Sequence, residues 1–140
     1  TLTQDASLLA EADLILVTVI SGATEEMGRL IHAHAKTDAL VVSFQNGVSN
    51  ARVLREAAPK AQVLAGMIPC NAVSLGDGKF HRGTSGGLVV EAPDRGCVEA
   101  LTVSGLAVRA EPDMQGLLWG KLVVNLNNAL NALCGLPLKD

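Results

Sequence analysis

One lysine and four asparagines interrupt the otherwise apolar stretch WGKLVVNLNNALNAL, residues 119–133. At about 100° per residue, Lys121, Asn125, Asn128 and Ala132 fall within one helical arc of about 60°, while Asn127 and Asn131 lie on another. A helix that is apolar nearly all round is normally buried, and a buried ammonium costs several kcal/mol unless it is paired or used. Burial lowers a lysine pKa towards neutrality, which suits a proton donor, and amides on the same stripe can aim it and hold a carbonyl or carboxylate. A partly wet seam between two lobes fits the same stripe, since charged and amide residues on helices are usually solvated.

A second marked stretch is QNGVSN, Gln45 to Asn50, directly after the apolar run ALVVSF. If that run is a parallel strand, Asn46 stands at the carboxyl end of a sheet, where open α/β folds bind ligands. Gly47 permits a tight turn there, and amides at the next helix start can meet a polar group. An ordinary Asn-Gly turn explains the same residues.

Other chemistries find no support. His32 and His34 are two apart on a helix and His81 is alone, so no metal set is expected. There is no GxSxG elbow, and GDGKFHRG departs from GxGxxG at His81. Cys70, Cys97 and Cys134 lack CxxC spacing and are expected to be reduced, mostly packed thiols.

The elements that must position these residues follow from periodicity. LILVTVI after Asp13, ALVVSF and AQVLAGMI are apolar on both faces, predicting three parallel strands near 14–19, 39–44 and 62–67. Between them, SGATEEMGRLIHAHAK reads as a helix capped by Ser21 or Thr24, with Met27, Leu30 and Ile31 inward, and ARVLREAAPK as a short helix stopped near Pro59. This alternation is that of βαβ units. AVSLGDGKFHRGTSGGLVVEA then predicts antiparallel strands at the sheet edge with a GDG hairpin, followed by a helix over 94–104 after Pro93 and a short strand in LAVRAEP. Asp113 opens the long helix, closed by Cys134-Gly135-Leu136-Pro137, and that helix is expected to leave the sheet.

Composition narrows the function classes. The 140 residues carry net charge −3 and only three aromatics, without the basic stripe or stacking platform of a nucleic-acid binder. Uncharged runs such as 122–138 are broken by Asn and Gly and do not read as bilayer spans, so no membrane partner is expected. No signal peptide opens the chain, which points to the cytoplasm; neither does a methionine, so a piece of a longer protein is expected.

The marked stretches, in this order, resemble the ketopantoate reductase (2-dehydropantoate 2-reductase) family: ADLILVTV its fourth strand, VVSFQNGV its strand-turn asparagine motif, and WGKLVVNLNNALNAL with GLPL the helix bearing its lysine. The resemblance implies an α/β fold, the later part of a Rossmann-like parallel sheet over 1–112, running into the first long helix of an all-α substrate and dimerisation domain at 113–140. It places a GxGxxG turn before Thr1. It implies that Lys121 is the catalytic general acid, protonating a ketone as hydride arrives from NADPH, that Asn46 touches cofactor and substrate, and that Asn125 binds substrate. The family's second substrate asparagine falls at Ala129 in this chain, leaving Asn128 as the stand-in, and Ile20 replaces a cleft lysine.

The function so implied is NADPH-dependent reduction of a small 2-oxo acid, foremost 2-dehydropantoate to pantoate in pantothenate biosynthesis, with these 140 residues inactive alone and homo-oligomerisation open. A non-catalytic dinucleotide-binding or sensor module of the same fold is the alternative, favoured by Ile20 and the displaced asparagine.

Overall fold

Three strand segments rich in Val, Leu, Ile and Ala are packed between helices, most completely at the central second and third segments, whereas the first, at the sheet edge, leaves Leu16 exposed on one face. The computed structural model of the chain describes residues 2–92 and 95–135. Strands β1 (Leu14–Val17), β2 (Leu40–Ser43) and β3 (Gln62–Met67) are parallel and adjacent, with Leu14 opposite Leu40 and Leu40 opposite Gln62. β6 (Leu88–Glu91) runs antiparallel to β3, and β7 (Val108–Glu111) pairs parallel to β6, giving the order β1-β2-β3-β6-β7. This is a mixed α/β sheet of Rossmann-like kind, with its antiparallel part at one edge.

Helices α1 (Thr24–His34) and α2 (Asn50–Ala57) cover one face, where Ile31 and Leu54 meet Ile15, Val17, Val41 and Val63. α1 and α2 approach so closely that a Cβ on Gly28 would lie 2.5 Å from that of Ala57. On the other face, Cys97 and Leu101 of α3 (Arg95–Leu101) pack on Val42, Leu64 and Val90. Burying each large aliphatic side chain contributes roughly 1.5–3 kcal/mol. Glu91 ties the layers together: its Oε2 accepts from Ala65 N at 2.8 Å and from Arg55 at 2.5 Å, joining β6, β3 and α2.

Several expectations need correction. The glycine-rich hairpin, β4 (Ala72–Gly76) and β5 (Lys79–Arg82), does not join the sheet edge but forms its own two-stranded sheet, because every residue in it is exposed and none can pack on the core. Its turn, Asp77 at φ 49° and Gly78 at φ 71°, has the two left-handed residues of a type I′ hairpin. Neither Ser21 nor Thr24 caps α1: a 3-10 turn over Ser21–Ala23 precedes it, and both hydroxyls bond elsewhere. α3 stops at Leu101, not 104, where the Val103–Leu106 bridge and Gly105 at φ 82° turn the chain. The expected Pro93-Asp94 start and Leu136-Pro137 stop lie outside the described residues. A 3-10 turn over Ala6–Glu11 had no periodic signal.

The last helix, α4 (Met114–Cys134), starts at an Asp113 cap whose side chain accepts from Gly116 N at 2.9 Å. Met114 and Leu118 anchor it against Ala65, Met67 and Val89. Beyond that the helix leaves the sheet, and the expectation of general burial fails: Val123, Val124, Leu126, Leu130 and Leu133 are all exposed. Among the described residues, no helix is long and apolar enough to cross a membrane.

Candidate functional site

Each of the three parallel strands releases its chain at the same edge, so the residues just past their carboxyl ends converge. Ile20 and Ser21 follow β1, Gln45 and Asn46 follow β2, and Ile68 to Cys70 follow β3. Gly47, at φ 112°, lets the chain turn sharply after Asn46. The anchored start of α4 carries Lys121 across this edge, two turns beyond Met114.

Two cavities open there. The larger, about 920 Å³, is lined by Phe44, Asn46, Cys70, Lys121, Asn125 and Asn128, among others. The smaller, about 310 Å³, lies between the ends of β1 and β2 against Ile20, Ser21 and Gln45. Phe44 and Asn46 belong to both, so the two cavities share a wall. The structure therefore brings Asn46, Lys121, Asn125 and Asn128 to one cleft, with Asn46 and Asn128 exposed and Lys121 and Asn125 half-buried.

Lys121 Nζ donates to the Ile68 carbonyl oxygen at 2.7 Å. Burial holds the ammonium below its ordinary pKa of 10.5, with Cys70 opposing the shift. The bond uses one of three ammonium donors and leaves the others for a ligand in the cleft. No ion pair engages Lys121 among the described residues, so the group is aimed without being neutralised.

The helical stripe is wider than the sequence suggested. Asn127, assigned to another arc, also lines the cleft, with Gly120 and Val124, because the cavity wraps about half of the helix circumference. Asn131 is not among the lining residues. Cys70 was not singled out, although its place just past the third strand carries the same positional signal as Asn46. Of the thiols, only Cys97 is fully packed; Cys134 is exposed, contrary to the expectation of mostly packed cysteines. Among the described residues no group of three metal-ligating side chains occurs.

The turn around Asn46 is held by a buried polar network that spacing alone did not reveal. Ser43 Oγ donates to Gln45 Oε1, Gln45 Nε2 donates to Thr24 Oγ1 at 2.7 Å and to the Val19 carbonyl, and Thr24 Oγ1 donates to Asn50 Oδ1. Asn50 Nδ2 then donates to Ser21 Oγ at 3.1 Å and to the Asn46 carbonyl at 2.8 Å. Gln45 and Asn50 belong to QNGVSN, but their long-range partners, Val19, Ser21 and Thr24, lie 21 to 29 residues away in sequence.

Comparison with known proteins decides the kinship. The family model for ketopantoate reductase PanE/ApbA matches residues 1–95. The chain belongs to this family. A 2-dehydropantoate 2-reductase of Halobacterium salinarum is 31% identical over 137 residues, covering 92% of this chain and 45% of that protein. One of Archaeoglobus fulgidus is 32% identical over 134 residues, covering 89% and 44%. The chain thus spans less than half the length of these relatives. Among solved structures, a PanE/ApbA family ketopantoate reductase from Ralstonia eutropha superposes with a TM-score of 0.77 at 30% identity, over 88% of this chain and 42% of that one.

Proposed function

We propose that the full-length protein of which these residues form part is a cytoplasmic NADPH-dependent 2-oxo acid reductase, foremost converting 2-dehydropantoate to pantoate in pantothenate biosynthesis. The observation that carries this reading is a half-buried Lys121 ammonium, bonded to the Ile68 carbonyl and in no ion pair among the described residues, on the same cleft as Asn46 and Asn125, in a chain of the ketopantoate reductase family. On this reading residues 1–112 complete a dinucleotide-binding domain and 113–140 open a helical substrate domain.

The smaller cavity fits the reactive end of a dinucleotide: it is a crevice outside parallel strand ends, with the Ser21 hydroxyl and the Asn46 amide as polar groups and Ile20 as an apolar wall. Ser21 and Asn46 would hold the reactive end of NADPH there, and the cofactor would supply the hydride. Lys121, on the adjoining cavity, gives its proton to the ketone oxygen, so that negative charge never accumulates on it. Asn125 and Asn128 orient the substrate's carboxylate or carbonyl, and Asn46, on the shared wall, orients cofactor and substrate together.

The test is NADPH oxidation by the full-length protein with 2-dehydropantoate. Turnover is expected in the wild type, and Asn125→Ala should raise KM more than it lowers kcat. A proton donor also has to be protonated. With the Lys121 pKa lowered, kcat/KM should hold steady at lower pH and fall as pH rises through that pKa, which lies below 10.5. Lys121→Arg, which stays protonated throughout, should lose this alkaline limb. A wild-type profile flat to pH 10.5 counts against Lys121 as the donor.

A second reading, a dinucleotide-binding sensor without turnover, is favoured by Ile20, an 82% exposed aliphatic side chain at the mouth of the crevice, and by Ala129. NADPH binding without oxidation by any 2-oxo acid would support it.

A further inference from the structure

We propose that Asn50, which lines neither cavity, is a positioning residue that locks the Asn46 peptide so that the Asn46 side chain stays on the wall shared by both cavities. This rests on the reading of Asn46 as the residue that orients cofactor and substrate.

The geometry leaves one way to assign the network. The Asn46 carbonyl can only accept, so the Asn50 group facing it at 2.8 Å must be the NH₂, and Asn50 Oδ1 is left to receive the Thr24 hydroxyl at 3.0 Å. Ser21 Oγ donates to the same Asn46 carbonyl at 3.1 Å while accepting from Asn50. Both lone pairs of that carbonyl are thus occupied, one by the β1 loop and one by the start of α2. Donation runs in one direction from Ser43 through Gln45, Thr24 and Asn50 to Asn46, an arrangement in which each bond polarises the next.

Burial adds to the constraint. Thr24, Ser43, Gln45 and Asn50 are all buried, so water cannot take over a broken link inside the network, whereas Asn46 itself is exposed to the cleft. A Cβ on Gly47 would come within 3.2 Å of Asn50 Nδ2, so the turn and the clamp are fitted to each other. An exposed loop amide would otherwise sample several peptide orientations, and a misplacement of about 1 Å can cost about 100-fold in rate.

The test is a double-mutant cycle in the full-length protein, with Asn50→Ala and the milder Ser21→Ala each made alone and together with Asn46→Ala. With Asn46 present, Asn50→Ala should lower kcat for 2-dehydropantoate reduction by about tenfold or more, and with Asn46→Ala by less than about twofold, because the lost interaction acts through Asn46. Ser21→Ala, at an exposed position that threatens folding little, should show the same dependence of kcat with a smaller factor, read at saturating NADPH because its hydroxyl also lines the smaller cavity. The Gly47 amide order parameter should fall from a rigid value of about 0.85 towards about 0.6 in Asn50→Ala. Equal factors in both backgrounds, or a Gly47 amide that stays rigid, overturn the proposal. If the wild type reduces no 2-oxo acid, it is the functional reading that falls, and the Gly47 order parameter still decides whether Asn50 holds the turn.

Discussion

Replacing Lys121 by alanine in the full-length protein is expected to lower the rate of 2-oxo acid reduction by about 10²- to 10⁴-fold, the range ordinarily supplied by a positioned general acid. Binding of NADPH should be nearly unchanged, because Lys121 faces the larger cavity and not the crevice between β1 and β2. The asymmetry between turnover and cofactor affinity identifies an interaction made to the reacting oxygen. α4 should survive the change, since Met114, Leu118 and the Asp113 cap anchor it. Steady-state kinetics beside a fluorescence titration of NADPH provide the check, and equal turnover in the two proteins would remove Lys121 from the mechanism.

Gly66→Ala is expected to destabilise the fold by about 1–3 kcal/mol, as overpacking of a filled core does, and to deform the cleft at the same time. The added methyl would lie 2.6 Å from two carbons of the Phe44 ring and 3.0 Å from Val42 Cγ1. The ring must move, and it lines both cavities. A lowered thermal midpoint together with a raised KM is the expected pair of results. A lowered midpoint with unaltered KM would mean that Phe44 relaxes without disturbing the shared wall.

What the sequence disclosed and what it hid follow from the range of the interactions involved. β2 was legible because burial on both faces leaves an apolar run, LVVS; LILV gave the same signal although β1 lies at the sheet edge with Leu16 exposed, and α4 was legible because its Asp113 start and uninterrupted length are local signals. Lys121, Asn125 and Asn128 could be grouped by helical angle alone, and Asn46 by its place after a strand. The hairpin's separation from the sheet was not legible, because alternating residues in AVSLGDGKFHR specify a pair of strands without saying what they pack on. Asn127 was misassigned because an angle on a helix does not give the width of the cavity beside it. The network through Thr24, Gln45 and Asn50 joins residues far apart in sequence, and no spacing rule reaches that far.

Among the described residues α4 is anchored at one end only, which has a consequence for its helix–coil equilibrium. A free helical segment of a dozen residues is marginal in water, and fraying starts at the unsupported terminus. Gly135 closes the helix with a left-handed residue at φ 66°, its N–H bonded to Asn131 O, but Leu133 beside it is 84% exposed and brings no packing to hold that closure. Unwinding would therefore advance from Cys134 towards Lys121, releasing Asn128 first, Asn125 next and the lysine last. Any surface that covers Val123, Leu126 and Leu130 does more than bury apolar area: it sets how many of the cleft's amides are held in place at a given temperature.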